Sequence, residues 1–108
     1  MKLKTKEIKN GIVKSYFSDG KIAMLSMYKN SKKHGICKFY LRNGKLRATG
    51  KFSDGQMIGL WKWWREDGEL WQIGNFKDNK KNGSWKIYDK RGKLYSSSEF
   101  KDNKKILS

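Results

Sequence analysis

Residues 59–82 read GLWKWWREDGELWQIGNFKDNKKN, and the same pattern occurs four times along the 108-residue chain. Each copy is 24 residues long and keeps two glycines, two aromatic positions and one aliphatic position in register. Such self-similarity is typical of an array of one supersecondary unit, in which each copy packs only on its neighbours. The recurrent columns are Gly11, Gly35, Gly59 and Gly83; Gly20, Gly44, Gly68 and Gly92; Tyr16, Tyr40, Trp64 and Tyr88; Ile22, Leu46, Leu70 and Leu94; and Tyr28, Phe52, Phe76 and Phe100.

Each copy contains two short apolar segments that end in turn residues. In the third copy, residues 60–64 are followed by Asp67-Gly68, and residues 69–76 are followed by Asp78-Asn79. Asp-Gly and Asn-Gly favour tight turns because Gly, Asn and Asp tolerate positive φ. Segments of this length are typical of strands and are too short for packed helices. The sequence therefore predicts an all-β fold, an elongated, twisted antiparallel meander of about eight strands built from four 24-residue β-hairpin repeats.

We interpret residues 1–108 as a single domain with repeats at residues 11–34, 35–58, 59–82 and 83–106. Residues 1–10 are predicted to form an N-terminal edge segment, and the C-terminal tail is either a frayed end or a last edge strand. The array could also pair through an exposed edge with a second copy, so its oligomeric state stays open.

Two details of the strands follow from the spacing of their side chains. Trp61 and Trp64 are three residues apart, which a strict period of two cannot place on one face, so a bulge or an early turn is expected there. In the second strand, Leu70, Gly74 and Phe76 share a face. The small residue between two large ones suggests that another layer or chain crosses that face closely.

A net charge of +16 indicates an anionic partner, which could be nucleic acid, an acidic protein or an anionic membrane. A lysine-rich genome would explain the same excess, because only four of the 26 basic residues are arginines. One lysine column should form a ladder on the outer face of the sheet, and the second strand adds basic and aromatic residues. The predicted binding residues, for a protein partner or nucleic acid, are Lys14, Lys38, Lys62, Lys86, Arg47, Lys51 and Trp71. Trp71 is either an interface anchor or a partly buried packing residue.

These columns resemble the MORN-repeat variant family of bacteria, whose unit runs roughly Gly-x-Trp-x-x-Tyr, Gly-x-Leu and Phe-x-Asp-Gly. The third and fourth copies match it well, with Trp61 and Trp85 in the tryptophan place; the second copy has Cys37 there and the first has Val13. The resemblance covers residues 11–103. It implies an elongated sheet of stacked hairpins and a role in protein–protein contacts or scaffolding. Binding of anionic phospholipids by members of the wider MORN class is more disputed. Many bacterial variants are described as antitoxins of the YwqK type.

Residues that could carry catalysis are sparse. The one histidine, His34, lies three residues before the one cysteine, Cys37, with no third group to orient a nucleophile. Most acidic residues fall in turns, where carboxylates accept backbone hydrogen bonds. We therefore predict no enzymatic activity, no metal site and no cofactor. A lone cysteine and the absence of an apolar leader or membrane-length segment favour the cytoplasm.

These observations favour a non-catalytic binding module, an antitoxin-like or inhibitory protein that binds an acidic protein partner through its basic sheet surface. The alternative is a protein that binds RNA or single-stranded DNA, or that inhibits a nucleic-acid-guided enzyme, as a phage-encoded anti-defence protein would. Attachment to anionic membranes is the least favoured reading, since the sequence contains neither an amphipathic helix nor a lipidation motif.

Overall fold

The computed structural model describes residues 10–106, which form one open antiparallel sheet of nine strands in sequential order. The sheet is elongated, with principal dimensions of 57 × 31 × 22 Å. This confirms the predicted all-β meander, and the tail supplies the ninth strand as a last edge strand. Residues 1–9, predicted to form an edge segment, lie outside the described residues. The strands are β1 (Gly11–Tyr16), β2 (Ile22–Lys29), β3 (Lys32–Tyr40), β4 (Leu46–Ser53), β5 (Gln56–Trp64), β6 (Leu70–Lys77), β7 (Lys80–Tyr88), β8 (Leu94–Lys101) and β9 (Lys104–Ile106).

Two kinds of turn alternate along the array, one at each end of the strands. Between β5 and β6, the Gly68 amide donates to the Arg65 carbonyl at 2.9 Å, and the Arg65 amide donates to the Glu69 carbonyl at 2.8 Å. Between β6 and β7, Asp78 and Asn79 both take positive φ, of 48° and 69°. Such a two-residue turn matches the natural twist of the two strands that it joins. The turn dipeptides in the sequence therefore predicted the hairpins correctly.

The predicted bulge is present in every repeat, where the pairing register shifts at the aromatic column. In the third repeat the shift lies between Trp63 and Trp64. The bulge does not bring the two aromatic columns onto one face. Trp61 lies over the neighbouring strand on one face, whereas Trp64 lines a hollow with Arg47 and Trp71. The shifts in the four repeats are at Ser15/Tyr16, Phe39/Tyr40, Trp63/Trp64 and Ile87/Tyr88.

The close approach at the small residues of the second strands comes from tryptophan rings within the same sheet. The Trp61 ring lies over Gly50, and the Trp85 ring lies over Gly74, so closely that a Cβ on either glycine would overlap the indole. The Trp85 Nε1–H donates to the Asn75 carbonyl at 2.9 Å. The expectation of a second layer or chain was therefore wrong. A large ring from the next strand fills the space above each glycine.

The face that carries these rings, which we call the tryptophan face, contains the core of the protein. Trp61 and Trp85 are 2% and 5% exposed. Phe76 packs edge-on against both rings, with ring centroids 6.1 Å from Trp61 and 5.1 Å from Trp85. Edge-on pairs of this kind add to the stabilisation that burial provides. The aromatic columns thus join the second repeat to the third and the third to the fourth without a second layer.

The junction between the first and second repeats is built differently. Cys37 stands in the tryptophan place and Ser26 in the glycine place, and both are buried. The Ser26 Oγ and Cys37 Sγ lie 3.2 Å apart, within hydrogen-bond distance. At this junction, two small side chains in contact therefore take the place of a tryptophan ring lying over a glycine.

Replacing Gly74 with alanine should lower the free energy of unfolding by about 1–3 kcal/mol, because the new methyl group overlaps the Trp85 ring. Urea denaturation measures the change. Ser98→Ala is the matched control, because Ser98 of β8 pairs with Trp85 from the strand opposite Gly74 and already carries a Cβ. This substitution should change the free energy of unfolding by less than about 0.5 kcal/mol. Equal effects of the two substitutions would contradict this account of the packing.

The serine–cysteine junction should be convertible into the tryptophan–glycine type. Cys37→Trp alone should destabilise the protein, because the ring would meet the Ser26 side chain. Adding Ser26→Gly should recover much of the loss, giving a coupling energy of about 0.5–3 kcal/mol in a double-mutant cycle. Strictly additive effects would show that the two positions do not pack as a unit.

Candidate functional site

The predicted lysine column forms one row across the face opposite the tryptophans, which we call the lysine face. Cross-strand pairing is continuous along this row, so its side chains point to the same side. The four lysines lie on alternate strands and are therefore about 10 Å apart. Lys14, Lys38 and Lys86 are exposed, and Lys62 is half-buried. The row reads Lys14, Leu25, Lys38, Thr49, Lys62, Ile73, Lys86 and Ser97.

The other three predicted binding residues lie on the same face. Arg47 and Lys51 each lie two residues from Thr49 in β4, and Trp71 lies two residues from Ile73 in β6. Residues two apart in a strand point to the same side of the sheet, so these three side chains share the side of the lysine row. The structure thus brings all seven residues onto one face. Their role in binding stays a prediction.

A row of exposed aliphatic residues runs beside the lysines and was not singled out from the sequence. Ile12, Ile36 and Leu60 are 60%, 45% and 49% exposed, and Met27 is also exposed. Ile12, Ile36 and Leu60 recur at the repeat spacing, one place after the first glycine column. Each of them lies two residues before a lysine of the ladder, so the period of two along a strand would have placed them on the outer face. The lysine face therefore combines positive charge with accessible apolar surface.

A shallow groove of about 650 Å³ lies at the end of the lysine face where β5 turns into β6. Two smaller hollows continue it along the same turn end of the strands, towards β2 on one side and β8 on the other. We call the three together the arginine groove, because three of the four arginines, Arg42, Arg47 and Arg65, line them. The central hollow is lined by Leu41, Arg47, Trp64, Arg65, Glu66, Asp67, Trp71 and Lys90.

Arg65 holds Trp71, one of the exposed aromatic residues of this groove, in place. Its Nη2 donates to the Tyr88 carbonyl at 2.9 Å, and its Cζ lies 5.8 Å from the centroid of the Trp71 ring. Guanidinium groups favour this position over an indole face. Trp71 is still 39% exposed, and the adjacent Tyr95 is 77% exposed. Trp71 therefore packs on one side and remains accessible to a partner on the other.

The carboxylates in the groove differ in what they contact. The Asp67 Oδ1 accepts a hydrogen bond from the Glu69 amide at 2.9 Å. The Asp89 Oδ1 accepts from the amides of Arg91 and Lys93, at 2.8 and 2.9 Å. These two acids thus stabilise their own turns, whereas Glu66 is exposed and lines the central hollow.

The structure gives the cysteine and the histidine separate surroundings. Cys37 is buried, with its sulfur against the Ser26 hydroxyl rather than an imidazole. The Nδ1 of His34 is buried, and no hydrogen-bond partner for it is found within residues 10–106. Over the same residues, no cluster of three or more His, Cys, Asp or Glu side chains is arranged to hold a metal ion. Nor does this part of the chain contain a helix long and apolar enough to cross a membrane.

The repeat unit identifies the family of the protein: the chain belongs to the MORN repeat variant family, whose model matches residues 9–30, 33–54, 57–78 and 81–102. Each match begins two residues before the first glycine of the corresponding repeat. MORN repeats form a non-catalytic family and suggest a binding module. No curated protein matches the chain significantly.

Trp71 should be the tryptophan most accessible to solvent, since Trp61 and Trp85 are buried and Trp63 and Trp64 are half-buried. We expect Trp71→Phe to remove the largest iodide-quenchable part of the fluorescence, because nearby cationic groups concentrate the anionic quencher. Trp64→Phe is the matched control and should leave most of that quenching in place. A Trp71→Phe protein with unchanged quenching would contradict the exposed position.

Proposed function

We propose that this protein is a non-catalytic binding module whose lysine face binds an acidic protein, and that this binding inhibits the partner in an antitoxin-like manner. One observation carries the proposal: exposed aliphatic residues lie in a row beside the lysine ladder. A purely solvated face would have no reason to expose Ile12, Ile36 and Leu60 at the repeat spacing. Apolar surface rimmed by polar groups is typical of interaction sites. In this row Lys51 of β4 lies between Ile36 and Leu60.

The two components of the lysine face would contribute differently to binding. The net charge of +16 would steer an acidic partner towards the sheet and speed association. Burial of the aliphatic row would then add apolar contact area, as apolar residues do in the centres of protein interfaces. The face is long and open, so it suits the flat surface of a folded protein better than a small ligand.

The same row favours a protein over nucleic acid. Sheets that bind single strands stack bases on aromatic rings in the middle of the binding face. Here the centre of the face carries lysines and aliphatic residues. The exposed aromatic rings, those of Tyr16, Trp71 and Tyr95, lie at one end of the strands. Aliphatic side chains pack well against apolar protein surface but offer no stacking platform for bases.

Inhibition would follow from coverage alone. A module of this length can cover an acidic surface of its partner, and a bound partner surface is no longer available to its own ligands. We expect the protein to act in the cytoplasm, where the buried thiol of Cys37 would remain reduced.

Affinity capture from a lysate of the organism that carries the gene, after nuclease treatment, tests this function. We expect a protein of acidic isoelectric point to be retained by the wild type and lost with Lys38→Glu/Lys62→Glu. The variant Lys104→Glu/Lys105→Glu makes the same change of charge on the terminal strand β9 and should retain the partner. Retention should fall as salt rises, because electrostatic attraction is screened.

Two results would contradict the proposal. Capture that disappears on nuclease treatment would make nucleic acid the partner. Equal capture by the Lys38→Glu/Lys62→Glu and Lys104→Glu/Lys105→Glu proteins would show that the lysine face is not the binding surface.

A further inference from the structure

The arginines of this chain are not distributed as the lysines are. Lysines occur along both faces and in both sets of turns, whereas all four arginines lie in or beside the turns at one end of the strands. Arg42, Arg65 and Arg91 flank or occupy the turns after β3, β5 and β7, and Arg47 is the second residue of β4. A lysine-rich composition does not explain this placement. Arginine and exposed aromatic residues together are typical of the residues that dominate binding energy at interfaces.

The geometry points to the arginine groove as the binding site for an extended acidic peptide segment of the partner. This inference rests on the proposed function, because it names the part of the partner that would contribute most affinity. It assigns the main anchor to the groove, while the lysine face contributes steering and area. The groove lies directly beside the lysine row, because Arg47 and Trp71 are two residues along their strands from Thr49 and Ile73.

The shape of the groove favours an extended segment. Its hollows run from the turn after β1 to Tyr95 in β8, so they cross the sheet at a steep angle to the strands. Six strand spacings of about 4.8 Å amount to about 29 Å, which an extended peptide of about nine residues would span. The groove is shallow, so a folded domain would contact only its rim.

The chemistry of the groove selects acidic side chains with apolar residues between them. Arg47 and Lys90 are exposed in the central hollow and can pair with carboxylates. The faces of Trp71 and Tyr95 can receive apolar side chains, and Arg65 already fixes the indole, so little ordering is required on binding. Preorganised aromatic anchors of this kind contribute affinity at low entropic cost.

The carboxylates of the groove argue against a polyanionic backbone as its occupant. Glu66 and Asp67 line the central hollow, and Asp89 lines the adjacent one. A nucleic acid strand has a phosphate at every residue and would have to place some of them beside these acids. A peptide can put its acidic residues opposite Arg47 and Lys90 and a neutral residue opposite Glu66.

Selection from a displayed library of random peptides of about ten residues tests the inference without the natural partner. The purified protein should enrich sequences in which Asp or Glu alternates with aromatic or aliphatic residues. An enriched peptide, labelled with fluorescein, should lose about tenfold or more in affinity with Arg47→Glu and with Trp71→Ala. Glu66→Gln should strengthen its binding about twofold to fivefold, because a repulsive charge is removed.

Two controls locate the effect. Lys104→Glu repeats the charge reversal away from the groove and should leave the peptide affinity within about twofold. Thermal unfolding of each variant establishes that the substituted protein is folded before its affinity is interpreted.

The inference is overturned if no acidic consensus is enriched, or if the enriched peptide binds the Arg47→Glu and Trp71→Ala proteins as well as the wild type. It is equally overturned if a single-stranded oligothymidylate of similar length displaces the peptide and binds more tightly, because the groove would then be a nucleic acid site. A partner captured through the lysine face, with no peptide binding in the groove, would refute this inference and leave the proposed function standing.

Discussion

Two of the three junctions between repeats depend on an indole ring that lies over a glycine of the neighbouring strand. Trp61 on Gly50 and Trp85 on Gly74 give a single sheet the close packing that most folds obtain from a second layer. Burial of one such ring removes about 200 Å² from water, which corresponds to up to about 5 kcal/mol of hydrophobic stabilisation. The absence of a side chain on the glycine strand is what makes room for the ring, so the two columns have to change together. At the first junction both places differ together, with Ser26 in the glycine place and Cys37 in the tryptophan place.

Because one face supplies the core, the other face is free of that requirement. Its exposed lysines and aliphatic residues are not part of that core, yet the lysines recur in all four repeats and the aliphatic residues in three. The structure therefore separates two sets of repeated positions. Burial in the core explains why the positions on the tryptophan face recur, whereas the exposed positions on the lysine face require another explanation. Binding of an acidic partner provides that explanation for the lysine face, and the clustering of arginine and aromatic side chains provides it for the groove.

Much of this architecture could be predicted from the sequence because the repeat places each residue type in a column. The turn dipeptides predicted the hairpins, and alternation placed the lysine column and Trp71 correctly. What occupies the space above Gly50 and Gly74 could not be predicted, since the spacing shows that the position is crowded but not which group crowds it. The arginine groove was missed for a related reason. Arg47, Arg65 and Lys90 come from three different hairpins and are not in one column, so only the folded sheet brings them together.

We propose that the lysine face, and not the tryptophan face, is the binding surface. Methyl NMR of the protein titrated with its captured partner tests this claim most directly, since each face has its own methyl probes. We predict that the signals of Ile12, Ile36 and Leu60 shift and broaden on binding, while those of Met24 and Met57, on the tryptophan face, stay where they are. Shifts confined to Met24 and Met57 would contradict the account and place the partner on the aromatic core instead.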